Sequence, residues 1–224
     1  MRVTYTVEVS PAVSEVNVDE FAAEAARVFS DPRGWLKYGY KFARVPAGVK
    51  PDVRIRLETG TAAKSLCGMA GFSCQRDGPK DIIINLDNWL GKSASSLPIE
   101  RYHNYVLNHE VGHHLGLKHQ LCPINECRRR GMRSCPGSVM QQMTLGKKAI
   151  APCIESDWPL DPDWRIDDPR PKKTAIAKIV RVALLIVLVF CIAAAIAGVC
   201  RRYSLGSQAE ARPPLPPAAA RPPA

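Results

Sequence analysis

The stretch His109-Glu110-Val111-Gly112-His113-His114-Leu115-Gly116-Leu117-Lys118-His119 decides how this chain is read. It ends a run that begins at Pro98, a residue suited to the first turn of a helix, and the pattern predicts a helix from there to about Leu115. Tyr102, Val106, His109 and His113 fall on one stripe of that helix. His109 and His113 are four apart, so both imidazoles point to the same side and can share a metal ion. Gly116 can take the left-handed conformation that ends a helix. The chain can then turn back, and His119 can supply a third nitrogen. Three histidines leave a tetrahedral Zn²⁺ with one open position, the arrangement of a catalytic rather than a structural site. Glu110 lies beside the first ligand without binding the metal, where it can take a proton from water. Three histidines, a glutamate and a glycine at these offsets arise by chance in roughly one chain in 10⁵ at average residue usage. A histidine-rich helix end that merely packs explains one or two of the histidines, not the set. His114 points about 100° away from His113 around the helix and reads as a bystander.

Upstream of this helix the periodicities describe a mixed domain. Val3, Tyr5, Val7 and Val9 alternate with Arg2, Thr4, Thr6 and Glu8, a half-buried strand. Asn17 or Asp19 can cap a helix through Phe29, with Phe21, Ala25, Val28 and Phe29 on one face. Asp31-Pro32-Arg33-Gly34 is a turn, and a strand is expected near Lys37–Val45. Val53, Ile55 and Leu57 mark another strand. The Gly-rich stretch Thr59–Pro79 reads as a loop, and Asp81–Leu86 as a short strand. Cys122–Asp168 is rich in Cys, Pro and Gly and has little periodicity. The expected class is α+β, helices packed on one sheet followed by an irregular Cys-rich segment.

The pattern HExxHxxGxxH resembles the extended zinc signature of the metzincin metalloendopeptidases. That clan also has a methionine-containing turn downstream. Here Ser138-Val139-Met140-Gln141-Gln142 is similar, 21 residues after His119. On its own Met140 would read as a core methionine; after this motif it reads as the Met-turn residue. Tyr5–Val9, Asp31–Trp35, Cys67 with Cys74, Ile84-Asn85-Leu86, Asn108–His113, Val139–Gln142 and the ending Cys153…Trp158-Pro159 resemble a bacterial branch of the metzincins catalogued as a domain of unknown function. The likeness covers about residues 3–160. It implies a zincin-like fold: a twisted mixed sheet, an active-site helix with the first two ligands, and an irregular lower subdomain. It also implies an exported or membrane-attached protein, and makes the strand near Ile82–Ile84 a candidate edge against which an extended peptide could pair. Some metzincins carry a tyrosine two residues after the Met-turn methionine, where this chain has Gln142. Ile124–Ser134 looks like an insertion shaping a substrate wall.

The chain has 224 residues, 46% hydrophobic and 23% charged, so it is not disordered as a whole. Val182–Cys200 carries no charge, and at ~1.5 Å per residue it can span a bilayer as a helix. The expected organisation is a metalloprotease-like domain over 1–165, a basic juxtamembrane linker over 166–181, a transmembrane helix over 182–200 and a Pro/Ala-rich disordered tail over 201–224. The net charge of +10 divides equally: 21 Lys/Arg against 16 Asp/Glu in residues 1–160, and 10 against 5 in the remainder. No basic stripe interleaves with aromatics, so nucleic acid is not an expected partner. Arg128, Arg129, Arg130 and Arg133 read as a solvated loop cluster.

Of eight cysteines, Cys191 and Cys200 lie in the apolar run. The other six suggest disulfides, with fifteen pairings open. Cys67–Cys74 closes a short loop; Cys122–Cys153 and Cys127–Cys135 are the remaining candidates. The rival is a second zinc on Cys122, Cys127, Cys135 and Cys153, whose spacings fit no common zinc pattern. No apolar segment precedes the first strand, so no signal peptide is expected unless translation starts further upstream. The positive charges before the apolar run favour a cytoplasmic domain. The cysteines and the resemblance favour an extracytoplasmic one, the expectation taken here. Together these readings describe a single-pass membrane protein that holds one Zn²⁺ at His109, His113 and His119. Glu110 is its general base and a peptide or protein its substrate. The alternative is a catalytically silent zinc-binding domain that binds peptide or envelope partners at the membrane.

Overall fold

Apolar alternation builds the first strand and places it near the middle of the sheet. β1 (Arg2–Val9) buries Val3, Tyr5 and Val7 on one side. β2 (Lys41–Arg44) and β3 (Val53–Glu58) flank it, both parallel, and β5 (Asp81–Asn85) pairs in parallel with the far side of β3. β4 (Cys74–Arg76) runs antiparallel on β5, so the five-stranded mixed sheet has the order β2-β1-β3-β5-β4. With helices packed on it, the architecture agrees with the α+β expectation. The structure is a computed structural model and describes residues 1–76, 78, 80–164, 166 and 167. These fall in one compact unit, Met1–Arg170.

α1 (Val18–Ser30) is capped by Asn17, whose Oδ1 accepts the Asp19 N–H at 2.7 Å. Its apolar stripe, Phe21, Ala25, Val28 and Phe29, is buried in the main core with Tyr5 and Tyr40. Each Phe or Val of that stripe contributes about 1.5–3 kcal/mol on leaving water. The opposite face of the strands is charged: Arg54 forks onto Asp81 at 2.7 and 2.9 Å, and Arg56 meets Glu58 at 2.5 Å. That alternation holds along β1 and most of β3, while β5 is buried on both faces.

Four expectations need correcting. The Gly-rich stretch is not a plain loop: it forms α2 (Gly60–Cys67), capped by Thr59, and then β4. The three-residue β4 exists by pairing, not by its own pattern. It covers β5, so Ile82–Ile84 is not an edge; Cys74–Arg76 is. The strand expected from Lys37 begins at Lys41, because Trp35–Tyr38 forms a 3₁₀ turn ended by Gly39. The Arg cluster begins on a helix, α5 (Ile124–Arg129), and is partly paired: Arg129 and Arg130 both reach Glu126, and Arg130 also reaches Asp163 at 2.7 Å.

Two further helices position the site. After the short α3 (Leu86–Trp89), α4 (Ile99–His114) crosses behind the sheet. Its residues 101, 104 and 108 share a face that grips one turn. Arg101 and Asn104 donate to the Asp157 carboxylate at 2.6 and 2.9 Å, and Asn108 donates to the Asp157 carbonyl at 3.1 Å. A last short helix, α6 (Lys147–Ile150), follows the Met140 segment. Cys67–Cys74, Cys122–Cys153 and Cys127–Cys135 are disulfides. The run 182–200, most of the linker and the tail lie outside the described residues. Among the described residues no helix is long and apolar enough to cross a membrane.

Candidate metal centre

His109 and His113 project from the same side of α4, as their spacing requires, with ring centroids 4.8 Å apart. α4 ends at His114, and Gly116 then adopts φ +95°, a conformation that costs a side-chain-bearing residue energy. The reversal sends Leu117 N–H back to the Gly112 carbonyl at 3.0 Å and carries His119 over the other two rings, 5.3 and 4.8 Å away. The three histidines form one group whose ligand nitrogens all lie within 4.8 Å of one another. His114 is not in that group; its charged neighbours are Lys80 and Asp52.

Backbone carbonyls fix the tautomers. His109 Nδ1 donates to the Val139 carbonyl at 2.8 Å, and His113 Nδ1 donates to the Leu117 carbonyl at 2.9 Å. A carbonyl can only accept, so each Nδ1 holds the proton and each Nε2 presents a lone pair. Those two Nε2 atoms face each other at 3.2 Å. Two acceptors at that distance repel unless a cation lies between them. Two nitrogens bound tetrahedrally to Zn²⁺ at ~2.0–2.1 Å stand ~3.3 Å apart, so the donor set fits this ion. Burial, with the neighbouring histidines, pushes His109 down to about 3, so this ring stays neutral and able to ligate.

Glu110 is almost completely buried, and its Oε2 has no hydrogen-bond partner. Burial pushes its carboxyl up to about 8, opposed by the Gln75 backbone N–H. A dication beside it would draw it back towards the charged form. Glu110 and the three histidines line a cleft of about 240 Å³ whose other walls include Met69, Phe72, Ser73, Gln75, Tyr105 and Gln142. A larger hollow of about 630 Å³ under residues 44–51 brings no metal-ligating group together and is not a candidate site.

Met140 lies beneath the metal-binding face, fully buried. A Cβ on Gly112 would run into its sulfur and stand 3.0 Å from Trp35, so glycine is needed between the two histidines for helix and methionine to touch. Trp35 holds the back of the same turn by donating its indole N–H to the Asn108 carbonyl at 3.2 Å. The Met140 carbonyl accepts from Gln120 N–H at 3.1 Å, tying down the loop that carries His119. Segment 138–140 thus supports two of the three histidines. Beneath it lies Asp167, fully buried, accepting from Ser138 Oγ, from Leu160 N–H at 2.8 Å and from Val139 N–H at 3.3 Å. Burial pushes the Asp167 carboxyl up; these donors and Lys37 oppose it.

The spacing of histidines alone could not reveal the Val139 and Leu117 carbonyls, the Gln75 amide or Asp167. Nor could it reveal the Met69–Gln75 wall, which depends on α2 and β4. Sulfurs of Cys122, Cys135 and Cys153 also gather within 4.8 Å, but these residues are held in two disulfides.

Residues 1–166 match the model of the family described as a protein of unknown function (DUF3152), and the chain belongs to that family. No curated protein matches the chain.

Proposed function

We propose that this member of the DUF3152 family is a membrane-anchored zinc metalloendopeptidase of the metzincin type, with a zincin-like fold. One observation carries the reading: two tautomer-locked histidine lone pairs converge at 3.2 Å, in a cleft that also holds a buried, unpartnered glutamate oxygen. One Zn²⁺ per chain, held by His109, His113 and His119, supplies Lewis acidity towards a peptide carbonyl and lowers the pKa of a water.

The chain's own groups do the remainder. Glu110 accepts the proton of the attacking water and delivers it to the departing amine, the role its place beside the first ligand allows. The Gln75 N–H steadies this carboxylate. β4 is the sheet edge that lines the cleft, and an extended peptide can pair with it through main-chain hydrogen bonds. Met69 and Phe72 on the adjoining loop offer apolar contact to a substrate side chain. Gln142, which also lines the cleft, presents a carboxamide where some metzincins have a tyrosine.

Replacing the base separates catalysis from binding. Glu110→Ala should retain zinc and lose peptide hydrolysis by at least ~10²-fold, the lower end of general-base contributions. A variant that keeps full activity would remove Glu110 from the mechanism.

A further inference from the structure

We propose that Asp167 is a positioning residue for His109, acting through a hydrogen-bonded relay beneath the metal site. His109 Nδ1–H donates to the Val139 carbonyl at 2.8 Å. The same peptide unit carries the Met140 N–H, which donates to Ser138 Oγ at 2.9 Å. The Ser138 hydroxyl, having accepted that bond, donates its proton to Asp167 Oδ1. The direction of each link is fixed by its chemistry: a carbonyl accepts, an amide N–H donates, and a carboxylate accepts. Every donor therefore points from the imidazole towards the carboxylate.

The other side of the carboxylate is also built for an anion. Oδ2 accepts from Leu160 N–H and Val139 N–H, so three donors converge on Asp167. Ser138, Val139, Met140 and Asp167 are all fully buried, and His109 nearly so. In such surroundings aligned hydrogen bonds polarise one another. The group that accepts from the other ring nitrogen of a metal-ligating histidine fixes its tautomer and raises its basicity, and for His109 that group is the Val139 carbonyl, which this relay orients. The His113 bond ends at the Leu117 carbonyl, in the turn that the Leu117 N–H closes onto the Gly112 carbonyl. Asp167 is one residue beyond those that match the family model.

This inference rests on the three histidines being a metal site, and its test separates the two. The full chain is purified in detergent, and its Zn²⁺ dissociation constant is measured by competition with a chromophoric chelator. The visible spectrum of the Co²⁺ form and the thermal unfolding of the metal-free protein are recorded alongside. Asp167→Asn keeps the shape and removes the charge. Ser138→Ala breaks the relay but leaves the bonds from Asp167 to Val139 and Leu160, so it serves even if the first variant folds poorly. Asp81→Asn, a buried carboxylate paired with Arg54 outside the cleft, controls for lost stability alone. Both relay variants should bind Zn²⁺ about tenfold more weakly or worse, with altered Co²⁺ bands, while the control binds as wild type does. Relay variants that bind within twofold of wild type, with unchanged Co²⁺ bands, would overturn the relay and leave the metal site standing. Failure of the wild type to bind Zn²⁺, or binding that survives His109→Ala, would overturn the metal site and the relay together.

Discussion

His114 and His119 are both histidines at the end of one helix, yet only one belongs to the metal group, and the difference is angular. His114 is one residue past His113 and so points about 100° away, towards Asp52 and Lys80. His119 returns to the group only because Gly116 turns the chain at φ +95°. His119→Ala should therefore weaken Zn²⁺ binding strongly, and His114→Ala should leave it near the wild-type value. Equal losses in a chelator competition would contradict the ligand assignment. At this scale the site was largely legible: residue types and offsets alone specify three imidazoles, a neighbouring carboxylate and a turn. What locks the imidazoles was not legible, because the Val139 and Leu117 carbonyls are backbone groups and carry no signature of their own. Asp167 was hidden for another reason. One aspartate in a polar, aperiodic stretch looks like any solvated aspartate until folding buries it.

Between residue and molecule, the elements that differ from their sequence patterns are those made by their neighbours. α1 carries a long apolar stripe and α4 the histidine motif, and both were readable within a residue or two. β4 has three residues and no alternation; it forms because β5 offers an unpaired edge. β5 is buried along its whole length, so it shows no period of two that would reveal which neighbour it takes. The Cys67–Cys74 disulfide closes the intervening loop, and that loop carries Met69, Phe72 and Ser73 into the cleft wall. Chain-entropy reasoning for so short a loop gives about 2.5 kcal/mol of stabilisation. Cys67→Ser with Cys74→Ser should lower unfolding stability by about that amount in a denaturant titration. It should raise KM more than it lowers kcat, since Met69 and Phe72 of that loop line the cleft and none of the three histidines lies on it. An unchanged KM would show that this loop does not contact the substrate.

For the whole molecule, orientation is the question that charge and cysteine chemistry answer in opposite ways. Arg170, Lys172, Lys173, Lys178 and Arg181 precede the apolar run within about 15 residues, more than follow it, and positive residues normally stay in the cytoplasm. The three disulfides need an oxidising compartment to persist. We weight the cysteines and propose an extracytoplasmic domain. In intact cells, a thiol reagent that cannot cross membranes should label the six domain cysteines only after external reduction. Cysteines that stay free and unlabelled until lysis would put the domain in the cytoplasm.

Whichever side the domain occupies, the proposed activity is metal-dependent hydrolysis. The most direct measurement is digestion of a broad peptide library by the purified, zinc-loaded full chain with its disulfides formed. It is run beside a chelated sample and a chelated sample given Zn²⁺ again. Internal cleavage should appear in the zinc-loaded sample, disappear with the chelator and return with zinc. A zinc-loaded, folded protein that cleaves nothing in the library, or cleavage indifferent to the chelator, would contradict that activity.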